Sequence, residues 1–232
     1  RENPVKVEVG EGEHVMVGVA MVGVADTAGI YSGLMMHVSC NNITIVGKGK
    51  GKTTILGGFY VNGKQNVTIE QLDVTNEAGD GLYCAGSGTN VDVTECCFKK
   101  CGFNGMVVEN SAIATATRCE LMENVLYGII ILGANTKVRL NECTMHHNGQ
   151  CGLFVEDHAV VDLHGTKTVI HSNKNGGVGA ITNGKVNIYL PSQHNTSHDN
   201  VNANRYENQG GSIANINADG TFTHIPAPDG DY

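Results

Sequence analysis

Tryptophan is absent from the chain, and only 4 of its 232 residues are proline. The first absence removes the side chain that offers the largest aromatic stacking surface. No cluster of Lys and Arg offers a phosphate-tracking stripe, and the formal charge is −8, so nucleic acid is excluded as a partner. The same charge repels acidic polysaccharides unless a local basic site or a bridging cation intervenes. No membrane span is predicted: the longest apolar run, Val15 to Ala25, falls short of the ~20 residues a bilayer needs. No basic segment precedes that run, so it does not read as a signal peptide. The chain starts at Arg1 rather than Met, which leaves room for a removed leader. The string Val46 to Thr54 resembles a phosphate-binding loop but has Val46 where the motif demands glycine. It reads as a lysine-rich turn between strands.

Glycine, by contrast, is abundant at 31 residues and follows no collagen period, which signals many tight turns. One glycine recurs at Gly81, Gly105, Gly128, Gly152 and Gly177, at spacings of 24, 23, 24 and 25. Apolar residues follow it directly (Leu82, Met106, Ile129, Leu153, Val178) and again two further on (Cys84, Val108, Ile131, Val155, Ala180). Four residues before it lies a turn position: Glu77, Cys101, Asn124, Asn148, Asn173. Three before that runs an apolar column, Val74, Phe98, Leu121, Met145 and Ile170, preceded by Leu72, Cys96, Cys119, Cys143 and Thr168. Such a period is the signature of a repeat architecture. Period-two alternation in Val138 to Leu140, Cys143 to Met145 and Leu153 to Val155 gives three short half-buried strands per coil. The recurring Asn suits a bend in the left-handed region, and stacked Asn side chains are placed to bond one another. The recurring Gly is expected at positive φ.

A leucine-rich repeat is the rival architecture, since Leu140, Cys143, Met145 and Asn148 nearly meet its pattern. The second half of the coil decides against it. Leu153 to Val155 and Ala159 to Val161 are β-branched or aromatic stretches flanked by Gly and Asp, which are poor helix material. The fold class is therefore an all-β, single-stranded, right-handed parallel β-helix with coils of 23 to 25 residues. The repeat resembles the right-handed parallel β-helix proteins of the pectate-lyase-like superfamily over about residues 41 to 225. That scaffold carries lyases, hydrolases, epimerases, adhesins and binding modules, so the resemblance speaks to fold and not to activity.

One domain is expected over 1–232. It comprises an N-terminal strand and cap or insertion (1–40), regular coils (41–190) and an irregular C-terminal coil and tail (191–232). Val5, Val7 and Val9 read as a first strand, and Ile43 and Ile45 fall in the columns of Val67 and Ile69. The Gly- and Val-rich stretch 18–34 is placed as an insertion or end cap, because a solenoid must cover its open apolar cross-section. Pro191 to Asn208 reads as a long polar loop, Ser212 to Thr223 as a last strand pair, and 226–232 as a frayed tail.

Candidate chemistry is sparse. Cys96, Cys119 and Cys143 share an inward column and read as small hydrophobes, and unpaired interior thiols point to a reducing compartment. No zinc spacing and no calcium loop appears, so neither metal nor cofactor is expected. His146 and His171 occupy equivalent positions one coil apart with His147 adjacent, a pair able to act as acid and base if it is more than a polar turn. Glu95, Arg118 and Glu142 are expected on one outward strand position, and Asp92, Thr115, Arg139 and Asp162 on another. Alternating sign is what neighbouring parallel strands need, which favours a structural reading of these ladders. Arg118 and Arg139 facing a substrate groove is the functional alternative. Against an enzyme, the strings N-T-D, G-H-G, R-I-K, D-P-H-E and G-G-x-G-x-D, expected of β-helix enzyme families, are missing. Tyr83, Tyr127, Phe103 and Phe154 remain as stacking platforms for a sugar. The expected function is a non-catalytic scaffold presenting a flat surface to a protein or polysaccharide. The alternative is a carbohydrate-active enzyme working on an outer sheet face.

Overall fold

A computed structural model describes residues 4–16, 24–26, 29–31, 34–189 and 196–224. The chain winds as a right-handed parallel β-helix with three strands per coil. Each coil contributes one strand to each of three sheets, as in Lys137–Asn141, Thr144–His146 and Leu153–Glu156. The first sheet has ten strands, from Val5–Glu8 to Phe222–His224, and only its last pairing is antiparallel. The second runs over eight strands from Gly12–Val15 to Ser197–His198. The third runs over eight from Met35–Val38 to Ala203–Glu207. Val24–Asp26 and Gly29–Tyr31 form a separate antiparallel pair within the expected insertion.

The inward columns are those of the sequence pattern. Phe98, Leu121, Met145 and Ile170 are fully buried, one coil above another, as are Leu82, Met106, Ile129, Leu153 and Val178. Each such side chain contributes roughly 1.5–3 kcal/mol by leaving water. Every coil therefore carries its own share of one continuous core.

Between the first and second sheets the chain turns on a single left-handed residue: Gln71, Glu95, Arg118 or Glu142, with φ between 52° and 58°. This corrects the expected strand position of Glu95, Arg118 and Glu142. A left-handed residue with a Cβ is strained by about 1–2 kcal/mol. The hydrogen-bond ladder nonetheless runs through the bend, for Glu95 N donates to Thr117 O, Arg118 N to Asn141 O and Glu142 N to His164 O. The buried Cys96, Cys119 and Cys143 follow directly. Their thiols point at carbonyls of the preceding coil, Ile69, Val93 and Ala116, at 3.3–3.5 Å.

The second bend also differs from expectation. The left-handed residue is the one before each column member: Lys100 before Cys101, and Glu123, His147, Ser172 and Asp199 before an Asn. The Asn side chains instead turn inward and form a buried amide ladder. Asn124 Nδ2 donates to Asn148 Oδ1 (2.9 Å), Asn148 Nδ2 to Asn173 Oδ1 (2.9 Å) and Asn173 Nδ2 to Asn200 Oδ1 (2.8 Å). The same Nδ2 groups reach back to the carbonyls of Phe98, Leu121 and Met145. In the earliest of these coils the column residue is Asn76, not Glu77. Asn76 O accepts from Gly102 N as Cys101 O does from Val125 N, because that bend is one residue shorter.

The recurring glycines do not have positive φ. They are required by close approach: a Cβ on Gly128 would lie 2.5 Å from Gly152 O and 2.9 Å from Asn148 Nδ2. The expected loop at 191–208 is also corrected. Residues 190–195 lie outside the described residues, but Ser197–His198 and Ala203–Glu207 are strands, so the winding continues through another coil. The expected tail at 226–232 lies outside the described residues.

Candidate functional site

Outward positions are where a β-helix can do chemistry, since its interior is packed solid. On the first sheet Asp92, Thr115, Arg139 and Asp162 stand opposite one another in register, as expected. Asn187 prolongs the column, its Nδ2 donating to Asp162 Oδ1 at 2.8 Å. This ladder shares its sheet with His164, whose pKa burial and Arg139 lower, and it lies on a different sheet from His146, His171 and His198.

At the first bend Arg118 Nε donates to Glu95 Oε1 at 2.9 Å, which with a bond from Gln71 holds the Glu95 carboxyl below its ordinary range. Arg118 and Glu142 also line an open depression of about 300 Å³ with Lys50, Glu120, Thr144 and Lys167. Three cations and two carboxylates thus meet on a surface for which charge pairing was the favoured expectation and a substrate groove at Arg118 the alternative.

The second sheet continues from this depression. Its outward column is Lys99, Met122, His146, His171 and His198. His146 and His171 are strand residues, not the expected exposed turn. Their rings are parallel within 1°, with centroids 5.1 Å apart, and His198 stacks on His171 at 5.5 Å and 6°. His147, on the bend, stands edge-on to His146 at 4.9 Å. His146 Nε2 meets Glu120 Oε1 at 2.9 Å, and its Nδ1 faces His147 Nδ1 at 2.6 Å. A carboxylate only accepts, so the proton belongs on Nε2 of His146. In the neutral ring Nδ1 then accepts from His147. Glu120, His146 and His147 form a directed relay of the kind that moves protons. Burial, followed by the imidazoles of His146, His198 and His147, pushes the His171 pKa down.

The fold therefore brings Arg118, Glu142, His146, His147 and His171 onto one face together with Glu120, Lys50, Lys167 and His198, which the sequence reading missed. Glu120 was detectable as an outward neighbour of Leu121. His198 was hidden by the 27-residue step from His171. Arg139, Asp92 and Asp162 remain on the other sheet. Four aromatic side chains pair on a third face, where Tyr127 stacks on Phe154 at 5.0 Å and Tyr60 on Tyr83 at 5.7 Å. Among the described residues no three His, Cys, Asp or Glu side chains are placed to hold a metal ion, and no helix is long and apolar enough to cross a membrane. Burial raises the thiols of Cys151 to about 11 and of Cys97 to about 12, which leaves them poor nucleophiles.

Comparison with known proteins adds family and little else. A family model described as "Right handed beta helix region" matches residues 28–192. No curated protein matches the chain. Among solved structures, the A-module of a mannuronan C-5 epimerase from Azotobacter vinelandii aligns with 13% identity and a TM-score of 0.33. The alignment covers 91% of this chain and 78% of that one.

Proposed function

We propose, for a chain that belongs to the right-handed β-helix family, that it is a binding scaffold whose second sheet presents a flat polar face to a glycan. The carrying observation is the openness of the depression at the first bend. One left-handed residue joins the first sheet to the second in the coils of Gln71, Glu95, Arg118 and Glu142, and the longer connections at 47–52 and 165–168 border the depression there with Lys50 and Lys167. The depression beside Arg118 is open and shallow, unlike the concave sites that enclose small substrates. A solenoid of this kind enlarges its surface coil by coil without altering its core.

A second reading, a carbohydrate-active enzyme, is favoured by the Glu120–His146–His147 relay beside Arg118. One experiment separates the two. The protein is applied to a glycan array, and every glycan that binds is then incubated with it and assayed for cleavage, elimination or epimerisation. Binding without turnover supports the scaffold. Turnover that disappears in His146→Gln while binding persists replaces it with the enzyme.

A further inference from the structure

We infer that the outer face of the third sheet docks a proline-rich peptide in the polyproline II conformation, lying along the helix axis with a cation at every third residue. This face is separate from the second sheet, so the inference stands apart from the glycan reading. Strand register places Tyr60, Tyr83, Val107, Ile130 and Phe154 in one outward column across five coils. Such a column on a sheet face would ordinarily be polar. Here Met35, Tyr83, Ala85 and Val107 are buried in an apolar cluster of their own, outside the main core, and Tyr60 and Ile130 pack against it half-buried. The rings lie over one another, Tyr60 on Tyr83 at 30° and Tyr127 on Phe154 at 27°. At the far end Gly179 makes room for the Phe154 ring, since a Cβ there would meet Phe154 Cδ2 at 2.6 Å. A continuous apolar floor of this kind marks an interaction surface.

Charge and pitch identify the occupant. The neighbouring outward column reads Asn62, Ala85, Glu109, Leu132 and Glu156, an acceptor in every second coil with an apolar residue between. Asn62 Nδ2 donates to the Tyr60 hydroxyl, which leaves Oδ1 to accept. Glu109 accepts only from neutral groups, the Asn110 amide and the Tyr83 hydroxyl. Among the described residues no ion pair reaches Glu109, Glu156 or Asp157. The strands of this sheet from Met35–Val38 to Gly176–Ala180 carry no Lys or Arg. Burial, and Asp157 beside it, raise the Glu156 pKa, the mark of a carboxylate at an apolar surface with no cation to hold it. A cation brought by a ligand supplies what the fold omits. Acceptors two coils apart are separated by about 9.6 Å, twice the strand spacing. A polyproline II chain returns to the same face every third residue, about 9.3 Å on. An extended strand repeats its face at about 6.6 Å and an α-helix turns in about 5.4 Å, and neither keeps step. Polyproline II also needs no backbone partners, and a sheet face has none to give. Its rings lie flat on aromatic floors.

The test uses the intact chain and fluorescently labelled (Pro-Pro-Arg)4, read by anisotropy at moderate salt. The peptide is expected to bind. (Pro-Pro-Glu)4 should not, and (Gly-Ser-Arg)4, of equal charge but without the conformation, should bind roughly tenfold or more weakly. Glu109→Gln and Glu156→Gln keep the shape of the face and should each weaken binding roughly fivefold or more. Glu70→Gln, on the first sheet, should leave it unchanged. Phe154→Ala should cost roughly tenfold or more, and the two Gln variants carry the test should this one misfold by circular dichroism. Failure of (Pro-Pro-Arg)4 to bind overturns the inference. So does equal binding of (Gly-Ser-Arg)4, which would reduce the attraction to the net charge of −8. Indifference to both Glu109→Gln and Glu156→Gln places the peptide elsewhere and overturns it too. A neutral glycan from the array that loses its binding in Phe154→Ala, and that (Pro-Pro-Arg)4 does not displace, gives the aromatic row to a sugar instead. None of these results touches the second sheet, whose reading stands or falls on the array and His146→Gln.

Discussion

At Gly152 the reason for the residue is the absence of a Cβ and not freedom of φ. An added Cβ would meet Ile170 Cγ2 at 2.5 Å, Asn173 Nδ2 at 2.8 Å and Met145 Cβ at 3.2 Å. Gly152→Val is expected to destabilise by about 3 kcal/mol or more, above the ordinary cost of overpacking because it also strikes the amide ladder. Gly152→Asn, which a left-handed position would tolerate, is expected to fare no better. Denaturant melts of the pair check this, and a mild effect of the Asn variant would restore the conformational explanation. Asp80 makes a second case. Burial raises its pKa to about 6, against the hydrogen bonds that Asn104 N and Nδ2 donate to its Oδ1. A carboxyl whose folded pKa exceeds its unfolded one binds its proton more tightly when folded. Stability is therefore complete below about pH 4 and declines as pH rises through about 6, by up to roughly 3 kcal/mol. Asp80→Asn keeps the acceptor and removes the charge. It should be more stable than the parent at pH 7, with the advantage vanishing near pH 4. An advantage independent of pH would disprove the assignment. Residue types and columns were legible in the sequence. What was not legible is why a glycine is needed, because positive φ and close backbone approach leave the same letter.

The amide ladder is the element on which the second bend depends. Asn148 Oδ1 accepts from Asn124 N (3.2 Å) and Nδ2 (2.9 Å), and its own Nδ2 satisfies Leu121 O (3.0 Å) and Asn173 Oδ1. Asn148→Ala would leave those buried donors and acceptors without partners. The expected loss is about 2–5 kcal/mol, several times that of one exposed hydrogen bond. Amide exchange should show the damage concentrated in the coils around residues 124 and 173. Uniform loss across the molecule would indicate that the ladder is not a local device. The ladder was anticipated from Asn124, Asn148 and Asn173, whereas Asn200 was not. Its coil departs from the 23-to-25-residue spacing, and a period search loses a member as soon as an insertion enters. A different effect put Glu77 in place of Asn76 as the earliest column member: the residue missing before the column is made up by one more after it, so the spacing from Val74 to Gly81 is unchanged. The Glu120–His146 contact joins residues of adjacent coils offset by two along the strand. Column counting looks straight up the stack and passes over such diagonals.

For the whole molecule, stability should be independent of metal. Among the described residues no three candidate ligands converge. Chelator treatment is expected to leave the melting temperature unchanged, and a drop of several degrees would reveal a site. Charge and partner preference are also properties of the whole, and here sequence reading reached its limit. A net charge of −8 argued against acidic ligands, yet folding gathers Lys50, Arg118 and Lys167 from three separate coils around one depression.

The one-strand-per-sheet winding has a mechanical consequence. Strands lie across the axis, so the inter-strand hydrogen bonds point along it. A pull on the two ends of the stack loads each ladder in tension, one rung at a time, and not in shear across many rungs at once. The molecule should come apart as a spool does. Coil after coil peels away at low and nearly equal force, each freeing one repeat of chain, while the turns still wound keep their shape.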